Sequence, residues 1–217
     1  MQMKSEQLVI RLGAVLVTAA SAMAVSFIIW TLTAGLTQFT SEGWRRAAVE
    51  ADPGQVPRVD LQDEQGLFVR LDDLCMGKVL IIDFIYTRCQ TLCRSLGVIS
   101  AQLAQRLAAS GAHNEVGVVS VSFDPDRDTP DQLLAFKHAM EPAPTLWRLV
   151  RPLDGDGRRR LLDAFGIVVI DDGLGGYDHN AALHVVDQQC RLVRILDADE
   201  SEAAEALVQH LTRSKAY

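Results

Sequence analysis

"VLIIDFIYTRCQTLCRSLG", residues 79–97, carries an apolar run straight into two cysteines four positions apart. The run 79–86 has strand length and suits a strand buried on both faces. Beyond the cysteines, Leu92, Leu96, Ile99, Leu103 and Leu107 recur at spacings of four, three, four and four. That period predicts an amphipathic helix, ending near Ser110-Gly111. The two thiols therefore sit where a core strand hands over to its helix.

Working outward, "EVGVVSVSF" (115–123) reads as a second buried strand. Thr129-Pro130-Asp131 then offers an N-cap with proline at the first helical position. A shorter helix is expected over 157–165. "ALHVVD" (182–187) and "RLVRIL" (191–196) read as two strands joined by a tight turn at Gln188 to Cys190, and a last helix starts near Ser201. Strand, helix, parallel strand, helix, β-hairpin and helix is the order of an α/β thioredoxin-like fold. No internal repeat or low-complexity tract interrupts it.

At 217 residues the chain has room for one ordinary domain and an appendage. Residues 12–36 contain no charge. As a helix at about 1.5 Å per residue they reach roughly 37 Å, enough for a bilayer core of about 30 Å. A cleaved signal peptide has an apolar region of only about 7–15 residues, so a retained transmembrane anchor is expected. Lys4 and Arg11 precede it, which places residues 1–11 in the cytoplasm and the domain in the periplasm, at the inner membrane. Pro53, Gly54 and Pro57 mark 37–58 as a linker, leaving 59–217 as the domain. The chain carries a formal charge of −7, with Lys4, Glu6 and Arg11 the only charges in the first 40 residues, so the domain is acidic. Nucleic acid is excluded as an expected partner.

Cys89 and Cys93 at a helix start meet unpaired amide groups and the positive end of the macrodipole. Arg88 and Arg94 add charge beside them, so exposed thiols with an accessible thiolate form are expected. At i and i+4 of a regular helix, Cβ atoms lie about 5–6 Å apart, whereas a disulfide prefers about 3.8 Å. The spacing leans towards bracketing a soft metal ion, with a redox couple or two inert core thiols as the other readings.

Five histidines are available. His138 and His210 fall in surface helices, His184 within a strand, and His113 in the loop after the cysteine helix. His179 stands just before the strand 182–187, which in this topology runs antiparallel to 79–86. Its start then lies beside the end of 79–86, bringing His179 towards both thiols. Two thiolates and one imidazole suit copper, as Cu(I), Cu(II) or both; zinc usually takes a fourth ligand.

Taken together, "GKVLIIDFIYTRCQTLC" (77–93), "SFDPDRDTP" (122–130), "LWRLVRP" (146–152) and "YDHNAALHVVD" (177–187) resemble the Sco/SenC copper chaperones of cytochrome c oxidase assembly. The resemblance covers roughly residues 58–213. It implies a thioredoxin-like fold held outside the inner membrane by one N-terminal transmembrane helix. It implies copper bound by Cys89, Cys93 and His179 for delivery to the copper-binding (CuA) subunit of the oxidase, after a thiol reductant has reduced a Cys89–Cys93 disulfide to the dithiol. Asp124 matches the aspartate of the family's D-P motif near the site, with capping of the following loop as its other reading. The chain departs from the family pattern at Gln90 and Arg94, where proline follows each cysteine. It departs again at Asn180, where serine is common, and at Cys190, where glycine is usual.

Cys75 precedes the strand 79–86 and Cys190 follows the strand 182–187, so both fall at the end of the sheet opposite Cys89 and Cys93. An extracytoplasmic domain with two thiols at the same end invites a structural disulfide between them, with two separate, partly buried free thiols as the other reading. The functional expectation is a copper carrier rather than an enzyme. A thiol-disulfide reductase using Cys89 and Cys93 is the alternative, and a peroxidase with Cys89 attacking the peroxide a more distant one.

Overall fold

The computed structural model describes residues 2–33, 35, 40–89, 92–112, 114–140 and 144–213. The chain forms two compact units, Met1–Ala47 and Ala48–Tyr217. The first is dominated by helix α1 (Gln2–Leu32), whose stretch Gly13–Leu32 has a mean hydropathy of 2.1 and is long and apolar enough to cross a membrane. Helix α2 (Ser41–Ala51) falls on the boundary between the units. Residues 37–58, expected as a linker, thus contain a helix, and their last residues join the domain. Gly54–Gln55 form strand β1, and Val56 is buried. Between the two prolines the chain is held at the sheet edge, with Gly54 opposite Leu192 and Val56 N–H donating to Cys190 O at 2.9 Å.

The second unit continues with β2 (Asp60–Asp63), β3 (Phe68–Arg70) and the short helix α3 (Leu71–Cys75). The core follows: β4 (Val79–Ile85), α4 (Leu92–Ala109), β5 (Val116–Ser122), α5 (Pro130–His138), β6 (Trp147–Pro152) and α6 (Gly155–Phe165). A small hairpin, β7 (Val169–Asp171) and β8 (Tyr177–His179), precedes β9 (Leu183–Val186), β10 (Arg191–Leu196) and α7 (Ser201–Arg213). Eight strands make one sheet in the order β1-β10-β9-β4-β5-β6-β2-β3; β7 and β8 pair apart from it.

The expected thioredoxin-like fold is present, with β4 at its centre. All seven residues of β4 are buried, and each buried Val, Leu, Ile or Phe side chain is worth about 1.5–3 kcal/mol relative to exposure. β5 runs parallel to it and β9 antiparallel, with Leu80 opposite Val186 and Ile82 opposite His184. Helix α4 packs on β4 and β5, and α7 on β4 and β9. Arg106 ties the two helices through Glu205 at 2.6 Å. On the other face, Phe165 of α6 packs at a tilt against Phe84 and edge-on against His184. The local signals work as read. Thr129 accepts the Gln132 N–H at the start of α5, and α6 is capped by Asp154 and stopped by Gly166 in the left-handed region.

The segment around Trp147, seen in the sequence only as part of a motif, is strand β6, parallel to β5. At the far end of β4 from the dithiol, Cys75 and Cys190 are joined by a disulfide that spans 115 residues of sequence. Cys190 has a φ of 59°, and among the described residues no other non-glycine side chain has positive φ. The turn between β9 and β10 demands that conformation, which explains why glycine suits it and why a cysteine there is strained unless something else holds it.

Candidate functional site

The chain leaves β4 through Tyr86, Thr87 and Arg88 and reaches Cys89 before α4 begins at Leu92. Cys93 lies in the first turn. Its backbone N–H donates to Cys89 Sγ at 3.2 Å, so the first sulfur caps the helix that carries the second. Both thiols are free and buried. Cys89 is 8% exposed and Cys93 fully enclosed.

That burial reverses the expectation of exposed, easily ionised thiols. Burial pushes the Cys93 thiol far above its ordinary range, with the neighbouring Cys89 and Asp83 adding to the effect. A helix N-terminus contributes about 0.3–1 kcal/mol, less than one pKa unit at about 1.4 kcal/mol per unit, whereas full burial is worth several units. Desolvation wins at Cys93, and Arg88 and Arg94, both solvent-exposed, do not offset it.

His179 ends β8, paired with Val169 of β7. Its Nε2 lies 3.4 Å from Cys93 Sγ and its Nδ1 3.3 Å from the Asn180 carbonyl. A carbonyl only accepts, so that contact puts the ring hydrogen on Nδ1 and leaves the Nε2 lone pair facing the thiol. Burial also lowers the imidazole pKa, which favours the neutral, ligand-competent form. The ring packs edge-on against Phe123 at 4.9 Å.

Three sets of contacts that the sequence did not reveal hold these pieces in place. Tyr86 Oη donates to the Tyr177 carbonyl and accepts its N–H at 3.2 Å, fastening the strand two residues before His179. Buried Asp128 accepts from Thr87 through both its backbone N–H at 3.0 Å and its hydroxyl at 2.6 Å, and from Ser122. It thereby pins the loop that delivers Cys89. Asn180 bridges to the loop after α6, donating to Gly166 O at 3.0 Å and accepting from Val168 N at 2.8 Å. Asp128 lies inside the stretch 122–130 singled out in the sequence, but its role, like those of the tyrosine and asparagine, depends on a partner distant in the chain.

Asp124 does not reach the thiols. Its carboxylate pairs with Arg127 Nε at 2.6 Å, and Arg127 in turn donates to Tyr177 Oη at 2.6 Å and Gly175 O at 2.9 Å. Its backbone carbonyl also accepts from Arg127 and Asp128, so it both closes its own loop and braces the β7–β8 hairpin. Of the other histidines, His138 and His210 are exposed on α5 and α7 and His184 is buried in β9; His113 lies outside the described residues.

Sequence and topology thus bring Cys89, Cys93 and His179 together as two successive contacts with Cys93 in the middle. Among the described residues no group of three or more His, Cys, Asp or Glu side chains is closed into a metal cage. The donor types nevertheless match a soft metal ion: two sulfurs and a neutral imidazole.

A SCO1 protein homolog of Bacillus subtilis (strain 168) is 34% identical over 82 residues, which is 38% of this chain and 41% of that relative. The stretch therefore spans less than half of the relative's length. The copper-bound structure of ScoI from Bradyrhizobium japonicum aligns over 73% of this chain and 99% of its own, at 25% identity and a TM-score of 0.60. BsSco, described with a disulfide switch and as a member of the Sco family of cytochrome c oxidase assembly proteins, aligns over 74% and 96% at 23% identity and a TM-score of 0.64. The SCO1/SenC family model matches residues 56–215, a span that takes in every element from β2 to α7, and on that match the chain belongs to the SCO1/SenC family.

Proposed function

We propose that this protein is a membrane-anchored copper metallochaperone that serves assembly of the copper centre of cytochrome c oxidase. Cys89, Cys93 and His179 are its copper ligands, and copper is its cargo. The observation that carries the reading is the contact between Cys93 Sγ and His179 Nε2 at 3.4 Å, beside a second free thiol. A reductase needs the dithiol but has no use for an imidazole lone pair aimed at the buried sulfur. A copper site needs all three.

The high pKa of Cys93 is consistent with this role. A buried thiol resists ionisation in water but yields its proton to a bound metal, so metal affinity and proton release are linked. Soft thiolates select Cu(I), and the imidazole accommodates either oxidation state. The family's solved members give the reading its biological setting: ScoI of Bradyrhizobium japonicum holds copper, and BsSco belongs to a family of oxidase assembly proteins. Helix α1 anchors the chain with its N-terminus in the cytoplasm and the domain in the periplasm. The partners are the oxidase's copper-binding subunit and a thiol reductant that opens a Cys89–Cys93 disulfide in an oxidising compartment.

Copper stoichiometry on the reduced full chain in detergent, beside His179→Ala, tests this. One tightly held copper per chain is expected, with affinity reduced about 10-fold or more by the substitution. Absence of tight copper, or binding indifferent to His179, moves the assignment to a thiol-disulfide reductase working on the acceptor's cysteines.

A further inference from the structure

Cys89 and Cys93 differ in what can reach them. Cys93 is fully enclosed, while Cys89 lines a cleft of about 210 Å³ between the start of α4 and α5. Arg94, Gln132, Phe136, Ala139 and Met140 form most of its remaining wall. The cleft is built into the fold. A Cβ at Gly97, one turn beyond Cys93, would meet the Phe136 ring at 2.9 Å and Met140 Cγ at 3.4 Å. Only a residue without a side chain lets α5 lie this close to the cysteine helix.

Size and charge restrict the occupant. Small-molecule sites usually measure about 300–1,000 Å³, so this cleft holds a side chain or two of a larger partner. Its wall combines apolar Phe136, Ala139 and Met140 with polar Thr87 and Gln132; among the described residues no carboxylate lines it and Arg94 is its one charged residue. Arg88, next to Cys89, is also exposed, and among the described residues neither arginine is paired with a carboxylate. A chain of net charge −7 therefore presents a local positive rim beside its reachable sulfur. A larger cavity of about 530 Å³ opens near Lys78 and Val116, at the opposite end of β4, and none of the residues lining it is a cysteine or histidine.

We propose that the α4–α5 cleft is the docking site for the acceptor protein, and that it takes a segment carrying a cysteine between an apolar and an acidic residue. Cys89, not Cys93, is the sulfur that the partner's cysteine meets. The proposal rests on the preceding reading only for the partner's identity as a thiol protein, which a reductase would share.

The test uses the full chain in detergent with Cys93→Ser, leaving Cys89 as the free thiol, capped as a mixed disulfide with thionitrobenzoate. Two synthetic peptides present cysteine next to leucine, one flanked by glutamates and the other by lysines. Each peptide thiolate attacks Cys89 Sγ. One sulfur–sulfur bond forms, the bond to the cap breaks, and the coloured thionitrobenzoate thiolate leaves. Because the ratio of the two rates is read on one protein, the intrinsic reactivity of Cys89 cancels. The acidic peptide is expected to react about fivefold faster at low salt, an advantage that shrinks as the Debye length falls towards about 3 Å near 1 M salt. Arg94→Glu should bring the ratio to one or below, and replacing leucine by serine should slow the acidic peptide severalfold. The net charge of −7 predicts the opposite order, so a faster basic peptide, or a ratio unmoved by Arg94→Glu, overturns the proposal. So does equal or faster exchange at a capped Cys93 in Cys89→Ser. Copper stoichiometry with His179→Ala is independent of this ratio, so either assignment can fall alone.

Discussion

The two ends of β4 each carry a pair of cysteines, and the pairs have opposite fates. At the start of the strand, Cys75 and Cys190 come from segments 115 residues apart and are bonded, with Cα atoms 5.3 Å apart. At its end, Cys89 and Cys93 are four residues apart and remain free. Distance along the chain works against intuition here. The distant pair is fixed by two adjacent strands, β4 and β9, whose register leaves the sulfurs no alternative partner. The near pair is separated by the start of a helix, where one sulfur accepts the other residue's N–H and the other sulfur faces an imidazole. Rigid pairing makes a staple; a pair engaged with the backbone and a histidine keeps its sulfurs available.

The largest expected effect breaks the staple. Closing a loop of this length contributes about 4–5 kcal/mol in the chain-entropy model. Cys75→Ala with Cys190→Ala should lose most of that in a urea titration. Cys75→Ala with Cys190→Gly should recover about 1 kcal/mol, because glycine adopts positive φ without the penalty of a side chain. If the glycine variant is no better than the alanine one, the turn is not what strains Cys190.

Midway along β4, Asp83 sharpens the comparison, since it belongs to neither end. It is fully buried. Ser100 of the cysteine helix donates to one oxygen, and the other has no hydrogen-bond partner. Burial raises its pKa to about 6, against about 3.9 in an unfolded chain. Between these values the folded state holds the extra proton, so stability falls as pH rises from about 4 to 6 and stays reduced above. Two units at about 1.4 kcal/mol each make roughly 3 kcal/mol. Asp83→Asn should be more stable than the parent by about 2–3 kcal/mol at pH 7.5 and show no decline between pH 4.5 and 6.5. A variant equally destabilised at both pH values would show that the carboxylate is needed for packing rather than tolerated.

The smallest expected effect loosens the open end. Asp128→Asn removes charge-assisted bonds to Thr87, each worth about 1.5–3 kcal/mol in gross terms, though an amide keeps one acceptor. A stability loss near 1–2 kcal/mol is expected, with copper affinity lowered about tenfold as for other residues that orient ligands. Unchanged affinity at reduced stability would mean that Asp128 serves the fold alone.

Much of the domain was legible in the chain. Buried strands β4 and β5 are apolar runs, α4 declares itself by leucine spacing, and Thr129-Pro130 starts α5 as read. Strand β6 was not legible as a strand because Arg148 and Arg151 interrupt it; its pairing with β5 and β2 overrides that local polarity. Within the stretch expected as a linker, residues 41–51 form a helix and Val56 is buried.

The sequence by itself determined the core elements β4, α4, β5, α5, α6, β9, β10 and α7, the positions of the four cysteines relative to them, and, through the order of strands, that His179 would approach the dithiol. These follow from periodicity and connectivity, which are local properties of a chain. Tertiary structure alone decided how the site behaves. Burial overruled the helix dipole at Cys93, because desolvation is a property of the surroundings and not of the neighbours in sequence. Tyr86, Asp128 and Asn180 became positioning residues only when strands far apart in the chain were brought side by side. The cleft at Cys89 exists because Gly97 lets two helices come close, and such a contact is settled by packing.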